Sequence, residues 1–220
     1  MRKWILLFGI CLISVKATYG QGFVVKSNIL YDATTTINLG VEFALGDQWT
    51  LDVSGNLNPW VFPNTHVVKY ENGEADRMEG KFKHWMIQPE IRWWTCEKFN
   101  GHFFGAHLHA GSFNVGGLAF LPNSIGVTYP SDQPADRWEY GTGIRWQRFE
   151  GWLAGAGVSY GYHWILSNRF SLEFSLGAGY AYLKYDKYSP CPLCSDRQGS
   201  NFMHYFGPTK AGISAIFILK

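Results

Sequence analysis

Residues 151–185 hold two long runs that alternate with a period of two, joined by the short polar stretch 166–169. In the first run Trp152, Ala154, Ala156, Val158, Tyr160, Tyr162 and Trp164 share one face, while Leu153, Gly155, Gly157, Ser159, Gly161 and His163 share the other. In the second, Phe170, Leu172, Phe174, Leu176, Ala178, Tyr180 and Tyr182 oppose Ser171, Glu173, Ser175, Gly177, Gly179 and Ala181. This is the period of a strand and not of a helix, and it makes the pair a hairpin with one apolar face. Aromatic residues sit at the ends of each apolar run. Ten residue steps separate Trp152 from Tyr162; at ~3.4 Å per step and a tilt of ~40° they rise about 26 Å, close to the apolar band of an outer-membrane barrel.

The N-terminus explains how such a chain would reach that membrane. Arg2 and Lys3 precede the apolar run 4–15, and small and polar residues follow up to Gly20. This is the pattern of a signal peptide cleaved after Gly20, giving 1–20 as signal and 21–220 as a single mature domain. The apolar run is too short for a spanning helix, which needs roughly 20 residues. Cys11 lies inside that run, so a lipoprotein-type cleavage there would leave almost no hydrophobic region. Removing Arg2, Lys3 and Lys16 from 19 basic residues leaves 16 against 17 acidic ones, a mature net charge of −1, and with it goes any electrostatic argument for binding nucleic acid. An aromatic content of 17% is in excess for a soluble domain and ordinary for a barrel with aromatic girdles.

Six further alternating runs are legible, at 23–32, 38–45, 49–58, 84–94, 102–113 and 209–219. With the hairpin they predict an all-β fold, an eight-stranded antiparallel transmembrane β-barrel of the small outer-membrane type. Turns after the second, fourth and sixth strands are short. Long outer loops are expected at about 59–83, 114–150 and 186–207, rich in Pro, Gly and turn pairs such as Asn72-Gly73. Short turns on one side and long loops on the other suit both termini in the periplasm. Pro89 falls within the fourth strand and argues against an unbroken ladder there.

The face opposite the apolar one collects Lys26, Asp32, Glu42, Asp52, Glu90, Arg92, His107, His109, His163 and Glu173. Eight strands enclose an interior that side chains fill, so Glu42, Glu90, Arg92, His107, His109, His163 and Glu173 are expected to form a polar plug of paired charges, with Glu90 opposite His107. His107 and His109 are spaced to share a metal with Glu90, but two imidazoles and one carboxylate lack the closing ligands of a strong motif, and no metal or other cofactor is assigned. Cys191 and Cys194 resemble a redox pair; in an outer loop, without a helix N-terminus to acidify the thiol, a loop-stapling disulfide is the expectation, with Cys96 single. His109 and Ser112 fall on opposite faces, so no Ser-His pair stands on the lipid side and no catalytic residue is assigned.

The blocks KSNILYDATTTINLGVEFALG, KHWMIQPEIRWW, FNGHFFGAHLHAGSFNVGG, EGWLAGAGVSYGYHWILSNRFSLE and GPTKAGISAIFILK cover most of the mature chain. They resemble an uncharacterised Bacteroidetes outer-membrane family, a domain of unknown function numbered 3575. The resemblance implies a Gram-negative outer-membrane barrel whose relatives are often encoded beside surface-fimbria components, and it implies no activity. The resulting expectation is a non-enzymatic surface scaffold or assembly protein, monomeric, in contact with outer-membrane lipid and with a surface or fimbrial partner, and binding no nucleic acid. The alternatives are a lipid-modifying enzyme and a small pore. Intact-mass measurement of the protein recovered from cell envelopes tests the leader: the mass of residues 21–220 is expected, and that of 1–220 would contradict it.

Overall fold

A computed structural model describes residues 22–69, 75–116, 148–188 and 197–219. The chain forms β1 (Phe23–Asn28), α1 (Ile29–Ala33), β2 (Ile37–Ala44), β3 (Trp49–Asn58), β4 (Val61–Lys69), β5 (Ala75–Trp94), β6 (Gly101–Gly116), β7 (Arg148–Ile165), β8 (Phe170–Tyr188) and β9 (Arg197–Leu219). All nine strands belong to one antiparallel sheet in the order β3-β2-β1-β9-β8-β7-β6-β5-β4. Pairing of β3 with β5, from Trp49 opposite Trp93 to Asn58 opposite His84, bends this sheet into a ring. Eight strands make the circuit. β4 stands above β3 on the same neighbour, pairing with the first part of β5 while β3 pairs with the second.

The stagger of the ring can be read from the register. Partners of Phe23 lead through Phe43, Leu51, Ile91, Ala106, Val158 and Ala178 to Pro208 on β9, whereas its partner on the other side is Leu219. The difference is eleven positions, one of which is the bulge between Gly177 and Ala178. About ten residues of stagger over eight strands corresponds to a strand tilt of ~40°.

The long hairpin is as expected: β7 and β8 pair without a break from Arg148 opposite Tyr188 to Ile165 opposite Ser171. Three other places differ. The first strand stops at Asn28 and turns into α1. The Asn28 side chain caps the helix by accepting from the Leu30 N–H, and Thr35, at φ 59°, ends the turn. Asp32, placed inward by simple alternation, is therefore exposed and accepts a hydrogen bond from the Ser27 hydroxyl. Second, 59–83 is not a loop. β4 and the first part of β5 occupy most of it, pairing from Val61 opposite Lys81 to Lys69 opposite Ala75 with a register shift between Phe62 and His66. Third, β8 and β9 reach to Tyr188 and from Arg197, which claims both ends of the loop expected at 186–207. Of the loop at 114–150, 114–116 and 148–150 are strand and the rest lies outside the described residues. At Pro89 the β3 ladder is continuous, whereas the β6 partners run from Lys81 to Ile87 and resume at Glu90.

Within the ring, the end bearing the short turns is closed by apolar side chains. Val24, Trp94, Phe99, Phe103 and Ile216 are buried together, with Ala44 and Ile218 against them. Phe99 holds a left-handed backbone at φ 62°, a conformation unusual for a bulky residue that its packed ring helps to hold. Further along the axis, imidazoles need space. A Cβ on Gly155 would collide with the Tyr180 carbonyl and the His109 ring, and one on Gly157 would lie 2.7 Å from both the Ala178 carbonyl and His107 Nε2. Gly157→Val should therefore destabilise the ring by at least the ~1–3 kcal/mol of an overpacked core. Chemical denaturation of the folded protein, wild type against variant, measures it; an unchanged midpoint would contradict this packing.

Candidate functional site

The interior face carries charge at a density that water normally serves. Glu42 on β2, Asp52 on β3, Glu90 and Arg92 on β5, Glu173 on β8 and Lys26 on β1 are all buried, each no more than 5% exposed. Their side chains meet because each occupies an inward position of its strand, and the stagger brings these positions to a similar depth. Arg92 is the centre. Its Nε donates to Glu90 Oε2 at 3.0 Å, Nη1 to Glu42 Oε2 at 2.8 Å and Glu173 Oε2 at 2.9 Å, and Nη2 to Asp52 Oδ2 at 3.0 Å and Glu173 Oε1 at 3.1 Å. The guanidinium also lies 4.3 Å from the centre of the Phe103 ring, where the charged layer meets the apolar one.

Two lysines complete the layer. Lys26 Nζ is 2.7 Å from Glu42 Oε2, 3.1 Å from Asp52 Oδ1 and 3.8 Å from Glu173 Oε2. Lys210 on β9 binds Glu90 and stands 3.7 Å from Asp52 Oδ2. Neutral donors occupy other lone pairs: Thr50 donates to Glu42 Oε1, Ser159 to Glu90 Oε1, and Trp94 Nε1 to Thr50 Oγ1 at 2.9 Å. Four carboxylates thus face three cations, with His163 Nδ1 4.0 Å from Glu173.

Paired in this way, the charges avoid the several kcal/mol that each would cost if buried alone. The arrangement ties β1, β2, β3, β5, β7, β8 and β9 across the lumen, so it fixes register as well as filling space. Among its gaps is a cavity of about 30 Å³ bordered by Lys26, Asp52, Arg92, Glu173 and Lys210. A water needs roughly 10–15 Å³ of such volume, so this is room for one or two molecules and not for a water column.

Every residue expected in the plug is buried, but they do not form one cluster. Glu42, Glu90, Arg92 and Glu173 are in direct contact. His163 touches the edge of that group and packs its ring 5.7 Å from Trp94. His107 lies opposite Glu90 in the register yet bonds Thr209 Oγ1 through Nε2 at 2.9 Å. His109 sits beside it, the two ring centres 5.7 Å apart. Among the described residues no group of three or more His, Cys, Asp or Glu is arranged to hold a metal. Cys96 is a free, exposed thiol in the β5–β6 turn, and Cys191 and Cys194 lie outside the described residues. Lys210 was not foreseen, although it alternates with Gly212 and Ser214 on the inward face and that parity would have found it.

These features define a closed antiparallel sheet whose polar face is inside, bonded to itself, and whose apolar face is outside. The chain belongs to the family described as protein of unknown function, DUF3575, whose pattern matches residues 5–219. Comparison with curated proteins and with solved structures returned no match.

Replacing Arg92 tests the plug. Arg92→Met should cost about 3–5 kcal/mol, since it leaves carboxylates buried without their main partner. Pairing it with Glu173→Gln should recover part of the loss. Equilibrium unfolding in urea, compared across the two single variants and the double, measures the coupling; strictly additive effects would show that the two residues act apart.

Proposed function

We propose that the protein is an eight-stranded outer-membrane β-barrel with a leader removed in transit, and that it serves as a non-enzymatic surface scaffold whose specificity resides at the end bearing the long connections. The observation that carries this reading is the inversion of the sheet. Leu39, Leu108, Val158, Leu176 and Phe174 are exposed on the outside, from 43% for Phe174 to 66% for Val158, while the four carboxylates and Arg92 are at most 1% exposed within. A water-soluble ring would have its faces the other way round. In a bilayer, closure through β3 and β5 pairs the backbone of the eight-stranded circuit, and the apolar wall meets hydrocarbon.

The aromatic rows agree with this orientation. Towards the short-turn end Trp93 stacks on Phe104, Phe104 tilts against Tyr160, and Tyr162 against Trp164, with ring centres 6.2, 5.3 and 4.7 Å apart. Towards the other end Trp152 meets Tyr182, and Tyr182 meets Phe202. Two girdles separated by an aliphatic belt suit the two interfaces of a membrane.

The plug weighs against a pore, because its charges are spent on one another and the cavity among them is small. It also weighs against lumen chemistry with a bulky substrate. The scaffold reading, including a surface or fimbrial partner, rests on what rises above the upper girdle: the tips of the β4–β5 and β8–β9 hairpins.

Crosslinking of intact cells followed by capture of the protein should recover a defined surface protein, and deleting residues 189–196 or 70–74 should abolish its recovery while leaving the ring folded. Recovery of abundant envelope proteins alone, unaffected by the deletions, would contradict the scaffold. In planar bilayers the folded protein should give no steady conductance; a stable open channel would replace the scaffold reading with a pore.

A further inference from the structure

Above the plug the sheet changes sides. The inward positions that carry Glu173 on β8 and Ser159 on β7 continue upward as Leu183 and Tyr185 on β8 and as Leu153 and Phe149 on β7. Leu153, Leu183 and Met203 share one register, and the Phe149 and Tyr185 rings meet with centres 5.7 Å apart. The outward positions of the same stretch carry Lys83, Glu150, Lys184 and Asp186 instead of the aliphatic belt. Charge outside and apolar side chains inside is the arrangement of a sheet in water, so the top of the wall is a cup with an apolar lining.

The cup is open on one side. Eight strands close the ring below, but β1 ends at Asn28 and β2 begins at Ile37, with α1 between them. Among the described residues the places of β1 and β2 are therefore vacant above, a gap of about 10 Å at ~4.8 Å per strand between β9 and β4.

The two edges of this gap differ. β4 contains Pro63 and a register shift between Phe62 and His66, both of which discourage a further strand. The base of β9 is also guarded: the Asn28 amide donates to the Ala211 carbonyl at 3.1 Å and accepts from the Ile213 N–H at 3.3 Å, and Pro208 has no N–H to offer. From Gly199 to Tyr205 no such device is present. This stretch, GSNFMHY, has no proline and no Lys, Arg, Asp or Glu, and it pairs evenly with β8. Among the described residues it has no strand neighbour on its other side. Phe202 is 66% exposed on the outward face and Met203 45% on the inward one. Native sheets seldom leave an edge of this kind bare.

We propose that the β9 edge from Gly199 to Tyr205 is completed by an extended segment of another protein, apolar at every second position. The backbone of the segment continues the ladder, and its alternate side chains enter the cup beside Met203 and Leu183. This rests on the scaffold reading given above and says where and how the partner is held. A second copy of the chain in the same membrane cannot supply the strand. A two-fold along the membrane normal would cross two β9 strands, each tilted ~40°, at ~80°, whereas paired strands cross at about 20–25°.

The test uses the full mature protein in lipid nanodiscs and two ten-residue peptides, one alternating valine or phenylalanine with threonine and the other the same sequence N-methylated throughout. Hydrogen exchange localised by mass spectrometry follows the amides of 199–205. Those on the open side should exchange fast in the free protein and at least tenfold more slowly with the first peptide, while the N-methylated one should leave them unchanged. Met203→Lys, and independently Met203→Asp, should weaken binding of the first peptide about tenfold by placing a charge in the cup. Failure of the peptide to bind, or binding without protection of 199–205, would overturn the edge. Open-side amides already slow in the free protein would also overturn it, since the chain would then cover its own edge. The intact-cell capture described above separates the two readings. A partner recovered equally from wild-type and Met203→Lys cells would overturn the edge and leave the scaffold; protection by the peptide with no partner recovered from wild-type cells would overturn the scaffold alone.

Discussion

The Arg92 guanidinium stands among four carboxylates contributed by β2, β3, β5 and β8, and the rest of the ring is built so that this can be tolerated. A charge so deeply buried must be paired on several sides. The pairing in turn demands that these strands present their inward positions at one depth, which a sheet closed with a fixed stagger provides. Lys26 and Lys210 balance most of the remaining negative charge, and the hydroxyls of Thr50 and Ser159 occupy further lone pairs. Slipping β8 by one residue, for example, would exchange its inward and outward sets, placing Leu172 or Phe174 among the carboxylates and Glu173 on the outer wall. The network therefore acts on register more than on net stability.

Packing around that layer follows from the narrowness of the ring. On the short-turn side Trp94, Phe103 and Ile216 shut the lumen with apolar volume, and Trp94 joins the two layers by donating to Thr50. On the other side the imidazoles of His107 and His109 lie over glycines of β7, where any side chain would collide with them. Glycines of β7 set directly beside the histidines of β6 let a closed sheet of this size fill itself.

Much of this was legible in the sequence, and the reason is periodicity. Alternation assigned Glu42, Asp52, Glu90, Arg92, His163 and Glu173 to one face, and a strict period of two leaves no freedom in that assignment. The register between Glu90 and His107 could likewise be counted across a short turn. What alternation could not supply was length. The hairpins β4–β5 and β8–β9 extend well past the ring, since Pro and charge mark an exposed strand as readily as a loop. Nor could it see α1: the residues 29–33 alternate acceptably, and the change of direction depends on the Asn28 cap and the left-handed Thr35. Which inward residues touch is a matter of three dimensions, and for that reason the pairing of Lys210 with Glu90, between strands far apart in the chain, was not apparent.

If the apolar outer wall of this ring faces lipid as proposed, its strands cross the bilayer at the tilt fixed by their stagger. Polarised infrared spectroscopy of the folded protein in oriented bilayers measures that tilt directly. Amide I dichroism corresponding to strands inclined by about 40° to the membrane normal is expected. Strands lying parallel to the membrane plane, or dichroism with no preferred orientation in a protein that washes from the bilayers in salt, would contradict it.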